Sequence, residues 1–105
     1  MTPVHKVLKD GTEVWELNGK LHREDGPAVI RPDGYQAWYL NGKRHRVGGP
    51  AITNYVGTQA WFMNDNYHRV DGPAVIYHDG RLEYYAFGIK YESLEDLQVS
   101  LVILA

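Results

Sequence analysis

Short runs of alternating apolar and polar residues, broken every few positions by glycine, proline or asparagine, make up most of this 105-residue chain. In "EVWEL" (13–17) and "QAWYL" (36–40), Trp15 and Leu17, or Trp38 and Leu40, share one parity, while Glu16 or Tyr39 takes the other. Period-two runs of this length predict strands. The dipeptides Asn18-Gly19 and Asn41-Gly42 accept two positive φ angles in succession, so each predicts a tight hairpin between the runs that flank it. Pro32-Asp33-Gly34 predicts a second kind of hairpin that joins one such pair to the next. No stretch from residue 11 to residue 91 carries helical periodicity free of an interrupting glycine or proline, so a continuous antiparallel meander is expected there.

The pattern also recurs. "LNGKLHREDGPA" (17–28), "LNGKRHRVGGPA" (40–51) and "MNDNYHRVDGPA" (63–74) start 23 residues apart, and Gly11, Gly34, Gly57 and Gly80 keep the same step. Four residues after each glycine stands Trp15, Trp38, Trp61 or Tyr84. Self-similarity at this period predicts units that stack because none buries its apolar side alone. The expected organisation is one domain over residues 1–105. It has an N-terminal edge strand (1–10), full units at 11–33, 34–56 and 57–79, a partial unit at 80–92 and a helical cap at 93–105. Within the first of these segments "VHKVL" (4–8) supplies the strand. In the last, Ser93 followed by Asp96 suggests a capping box, and Leu94, Leu97 and Leu101 share a helical face, which predicts a short helix over about 93–101.

Composition narrows the picture without changing it. Apolar residues make up 44% and charged residues 23% of the chain, as in an ordinary folded domain, and eight Tyr with three Trp lean towards β structure. The absence of cysteine excludes disulfides, thiolate metal sites and a thiol nucleophile. A formal net charge of -2 provides no global attraction to nucleic acid or to an anionic membrane. No apolar run approaches the ~20 residues of a membrane span and the N-terminus does not resemble a secretory signal, so the expected location is cytoplasmic.

The phrases "WELNGKLH", "WYLNGKRH" and "PDG" resemble the MORN repeat, also 23 residues long: an aromatic, two residues, Asn-Gly-Lys, one residue, His-Gly and a closing Asp-Gly. About three and a half copies cover residues 11–91. This chain departs from the pattern after the histidine, where Arg23, Arg46 and Arg69 replace the usual glycine and a corner ending in Gly-Pro-Ala follows. That variant is similar to Asn-Gly-Lys-Leu-His-Arg repeats of some phage and giant-virus proteins. The resemblance implies an all-β, elongated meander used for protein or lipid association and for dimerisation, with no chemistry of its own.

Two sets of candidate residues follow. The repeated one is structural: Trp15, Trp38, Trp61 and Tyr84 form a ladder, and with Leu17, Leu40 and Met63 the tryptophans are expected to form the core face. His22 and His68 are expected to bond turn carbonyls, and Arg23 and Arg69 to pair with Asp25 and Asp71. A zinc ladder is disfavoured, because strands spaced about 4.8 Å apart put histidines of successive units ~10 Å from one another. The irregular set is functional. Gly48 replaces the corner aspartate and leaves Arg46 without that partner, while Lys43, Arg44, His45 and Arg46 form a basic run of formal charge +3. No acidic residue occurs from Tyr35 to Asn64, Trp38 and Tyr39 lie beside the run, and Tyr39, Phe62 and Tyr85 stand where the first unit has Glu16, which makes a second, partly aromatic face a candidate for binding.

No nucleophile, phosphate loop or triad emerges, so the expectation is a protein without enzymatic activity, cofactor or metal. The first functional reading is a module that binds a protein partner through an exposed aromatic face and forms a homodimer. The alternatives are a sequestering protein for a small anionic, nucleotide-like ligand, which would suit viral counter-defence, and attachment to anionic lipid.

Overall fold

A computed structural model describes residues 2–104; positions 1 and 105, the outermost residues of the expected edge-strand segment and helical cap, lie outside it. Strands β1 (Val4–Val7), β2 (Glu13–Leu17), β3 (Lys20–Leu21), β4 (Val29–Ile30) and β5 (Gln36–Ala37) come first. They are followed by β6 (Tyr39–Leu40), β7 (Lys43–Arg44), β8 (Ile52–Thr53), β9 (Gln59–Ala60) and β10 (Phe62–Met63). The chain ends with β11 (Asn66–Tyr67), β12 (Val75–Ile76), β13 (Leu82–Ala86), β14 (Ile89–Tyr91) and a single helix, α1 (Leu94–Leu104). The fold is therefore an antiparallel meander of hairpins with one short C-terminal helix.

Turn chemistry produces the two kinds of hairpin that the sequence predicts. Asn18 and Gly19 sit at φ 53° and 78°, the mirror-image turn whose twist matches that of its strands. At the other kind, Arg31 N–H donates to the Tyr35 carbonyl (2.9 Å) and Gly34 N–H to the Arg31 carbonyl (3.0 Å), with Gly34 supplying a positive φ of 97°. The main sheet runs β1-β2-β4-β5-β8-β9-β12-β13-β14, with β3 paired to β2. The pairs β6–β7 and β10–β11 stand apart as two-stranded ribbons.

That separation departs from an unbroken ribbon: β6 and β10 each follow a tryptophan whose N–H and carbonyl bond different neighbours, whereas in the first unit β1 pairs along β2, His5 opposite Trp15, and the strand stays continuous. Trp38 N–H donates to the Ala51 carbonyl (2.7 Å), whereas its own carbonyl accepts from His45 N–H (3.1 Å), so the chain turns a corner between two neighbours. Trp61 does the same with Ala74 (2.7 Å) and His68 (3.0 Å). The ribbons are joined to one another nonetheless: Leu21 accepts from Gly42 N–H (2.8 Å), Arg44 from Asp65 N–H (2.9 Å) and Tyr67 from Gly88 N–H (2.9 Å).

The core is not the tryptophan face that parity suggests. Trp15, Trp38 and Trp61 are only half-buried, while Ala28, Ala37, Ala51 and Ala74 have no exposed surface. Each alanine of the Gly-Pro-Ala corner is held on both sides by backbone bonds; Ala28, for example, donates to Ala37 (2.8 Å) and accepts from Trp15 (2.9 Å). Strand segments packed that closely leave room for a methyl group only. The body measures 46 × 33 × 17 Å, and its radius of gyration of 15.2 Å exceeds the ~13 Å of a compact domain of about 100 residues.

The helix starts where the sequence places it. Ser93 Oγ accepts from Asp96 N–H (3.1 Å), Leu97 is fully buried, and Leu94 and Leu101 are half-buried on the same side. It extends to Leu104, past the expected end near residue 101, because Val102 and Ile103 bring no glycine or proline to stop it. Among the described residues, no helix is long and apolar enough to cross a membrane.

Candidate functional site

The phrase His-Arg-x-x-Gly-Pro-Ala builds a corner, and the geometry explains each residue. His22 Nδ1 accepts from Asn41 N–H (2.9 Å), His45 Nδ1 from Asn64 N–H (3.2 Å) and His68 Nδ1 from Phe87 N–H (2.9 Å). The imidazoles therefore take a turn amide proton, and the expected bond to a turn carbonyl is replaced by its reverse. The reason is positional: the turn residue's N–H points back at the preceding hairpin and needs an acceptor. The arginines lie over the tryptophans, with Arg23 Cζ 3.8 Å from the Trp15 ring centre, Arg46 3.9 Å from Trp38 and Arg69 4.1 Å from Trp61. Each guanidinium also donates through Nη1 to a proline carbonyl, Pro27, Pro50 or Pro73, at 3.1 Å.

The preceding glycine is required by this arrangement. A Cβ at Gly26, Gly49 or Gly72 would stand 2.8 Å from the arginine Cζ, well inside van der Waals contact. Two corners close with an ion pair as expected: Arg23 Nε to Asp25 (3.1 Å) and Arg69 Nε to Asp71 (3.0 Å). These carboxylates are largely exposed, so the pairs contribute little beside the stacked and proline-bound guanidinium.

The basic run is less uniform than its sequence. Lys43 is exposed on β7, but Arg44 is bound by Asp65, whose Oδ1 accepts from both its Nε (2.9 Å) and its backbone N–H (2.8 Å). Those bonds to Arg44, the backbone one foremost, hold the Asp65 carboxyl below its ordinary range. Of the run of formal charge +3, Arg44 is thus ion-paired within the chain. The compensating aspartate lies one position past the acid-free window, in the turn where earlier units have glycine, and 21 residues from its arginine.

Phe62 is likewise not on an exposed aromatic face. It is 3% exposed, packed beside Ala51 and Ala60, with the Tyr67 ring 4.5 Å away and Arg44 Cζ 4.2 Å from its centre. Tyr39 is half-buried, and burial pushes its hydroxyl pKa up. Tyr84 pairs with Tyr91 across β13 and β14. The chain matches no family model, no curated protein and no solved structure.

Sequence reasoning passed over the residue after each His-Arg. It is Glu24, Val47 or Val70, and Val47 is 79% exposed, Val70 43%. Together with Arg46, Trp61 and Met63 these valines line an open cleft of about 360 Å3. An apolar residue placed in a turn beside charged ones was the available signal. Among the described residues, no three His, Asp or Glu side chains converge as a metal site would require.

The histidine geometry sets a pH dependence. Burial lowers the pKa of His68 below its usual 6.5, and protonation at Nδ1 would also remove the acceptor for Phe87 N–H. On acidification the unfolded chain takes up its proton first. Stability from this group is complete above about pH 6.5 and declines as pH falls from there to the folded-state pKa. Melting temperature followed from pH 7.5 to 5 should fall in that window, and His68→Gln should flatten the decline; an unchanged slope in the variant would reject the assignment.

Proposed function

We propose that this protein is a non-enzymatic association module, built from tandem 23-residue hairpin units of MORN-like type, which pairs with a second copy of itself through α1. The recurrence of equivalent bonds from Trp15 to Ala28, Trp38 to Ala51 and Trp61 to Ala74 supports the unit. So does the use of His22, His45 and His68, and of the three stacked arginines, inside the fold rather than around a substrate.

The observation that carries association is the outer face of the helix. Leu97 docks α1 on the sheet, yet Val99, Val102 and Ile103 remain 51%, 76% and 77% exposed. A terminal cap in a repeat array normally turns a polar face outward, because nothing further stacks on it. An apolar cap fits a second copy meeting the first helix to helix, the self-complementary contact of a two-fold dimer. Anion sequestration and lipid attachment have weaker support, since Asp65 neutralises Arg44 and shortens the basic stripe.

Light scattering should give twice the 12.0 kDa chain mass at micromolar concentration. Val102→Glu with Ile103→Glu should return the single-chain mass while circular dichroism stays unchanged. A wild-type protein that remains single-chain at high concentration would overturn the pairing.

A further inference from the structure

We propose that the Arg46 corner is a receptor for the carboxylate of an aspartate or glutamate in an extended segment of a partner protein, whose apolar neighbours rest in the adjoining cleft. This deepens, and rests on, the association reading. The comparison that carries it is internal to the molecule. In the flanking corners the arginine Nε is bound by Asp25 (3.1 Å) or Asp71 (3.0 Å). In the middle corner Gly48 stands where that aspartate would be, and Arg46 keeps the same pose without it, stacked 3.9 Å from Trp38 and bonded to the Pro50 carbonyl at 3.1 Å.

Among the described residues Arg46 forms no ion pair, and the one hydrogen bond of its guanidinium leaves the Nε edge unused. The guanidinium is therefore already fixed in the geometry in which its two siblings grip a carboxylate. Pre-fixing of this kind lowers the ordering cost of binding, and the planar fork suits a carboxylate in two-point contact. Space is available as well: a Cβ at Gly48 would meet nothing within 4 Å.

The surroundings select the rest of the partner. The cleft beside Gly48 has Trp61 and Met63 among its lining and the exposed Val47 and Val70 at hand, which favours aliphatic side chains next to the acid. Two acidic groups lie near. Asp71 is bound to Arg69, and the Glu24 side chain is 83% exposed and 3.7 Å from His22, so neither occupies Arg46. The cleft also has His68, Arg69 and Asp71 in its lining, but Arg69 is paired with Asp71, and a single unpaired guanidinium suits a carboxylate better than a phosphate, whose sites usually gather several cations.

The three arginines make a self-controlled experiment. In the full-length 15N-labelled protein, the Nε–H signals of Arg23, Arg46 and Arg69 are followed while acetyl-Val-Asp-Val-amide is added, and again with acetyl-Val-Asn-Val-amide. Only Arg46 should shift, saturably, with the aspartate peptide about tenfold tighter than its neutral counterpart. Arg46→Lys, which keeps the charge but loses the fork, should weaken the aspartate peptide by a similar factor, read from the Val47 amide. Equal movement of all three arginines, equal response to both peptides, or no movement of Arg46 overturns the receptor. So does inorganic phosphate moving Arg46 as far as the aspartate peptide does. Pairing through α1 is read separately by mass, so a failure of the receptor is distinguishable from a failure of the pairing.

Discussion

Phe62→Ala should lower the unfolding free energy by about 3–5 kcal/mol, the usual cost of deleting a buried aromatic ring. Domains of this size hold about 5–15 kcal/mol in all, so the variant should be unfolded in part or melt at least ~12 °C lower. The effect is large because Phe62 is the one large side chain in its cluster, with Ala51 and Ala60 beside it, Trp38 and Ile52 only half-buried against it, and the alanines unable to refill the space. Urea unfolding measures it directly. Tyr55→Ala is the control: with the residue 73% exposed, its change should stay within about 0.5 kcal/mol. If Phe62→Ala instead left stability within about 1 kcal/mol and removed partner binding, Phe62 would belong to a recognition face after all.

Gly72→Ala should cost about 2 kcal/mol, although the change adds a single methyl group. The backbone at Gly72 is not in the left-handed region, so alanine on its own should stabilise the fold by about 0.4–1 kcal/mol through the unfolded chain. The opposing effect is larger. Relieving the 2.8 Å approach to Arg69 Cζ means lifting the guanidinium away from Trp61 and from the Pro73 carbonyl. A charged hydrogen bond contributes about 1.5–3 kcal/mol and a stacked cation about 0.5–2 kcal/mol. A double-mutant cycle separates the two effects. In an Arg69→Ala background, Gly72→Ala should become neutral or stabilising, and Trp61 fluorescence should register the loss of the cation in the single variant. A cost that persists without Arg69 would mean that the glycine serves some other contact.

These two residues also show what could be read in advance. Gly72 recurs with Gly26 and Gly49 in a fixed phrase, so its structural importance is visible in the sequence, while its reason, an arginine passing overhead, is not. The Arg23–Asp25 and Arg69–Asp71 pairs were legible because the partners stand only two positions apart. Arg44–Asp65 was not, because the bond spans neighbouring hairpins, and the density of positive charge in residues 43–46 hid its neutralisation. His22 and His68 were recognised as structural but with the wrong bond direction, since sequence does not say which way a neighbouring turn amide points, and His45, read as part of the basic run, makes the same bond.

What the sequence determined by itself was local: tight turns at Asn-Gly and Pro-Asp-Gly, short strands between them, a serine-capped helix at the end, and the meander these imply. Such features depend on backbone preferences within a few residues, which side-chain identity sets directly. Tertiary structure alone decided which face is buried, because parity within a strand names two faces and only the closeness of the next strand shows which is filled by alanine. It also decided which arginine is left with an unused edge, for that depends on what neighbouring hairpins bring to it across space.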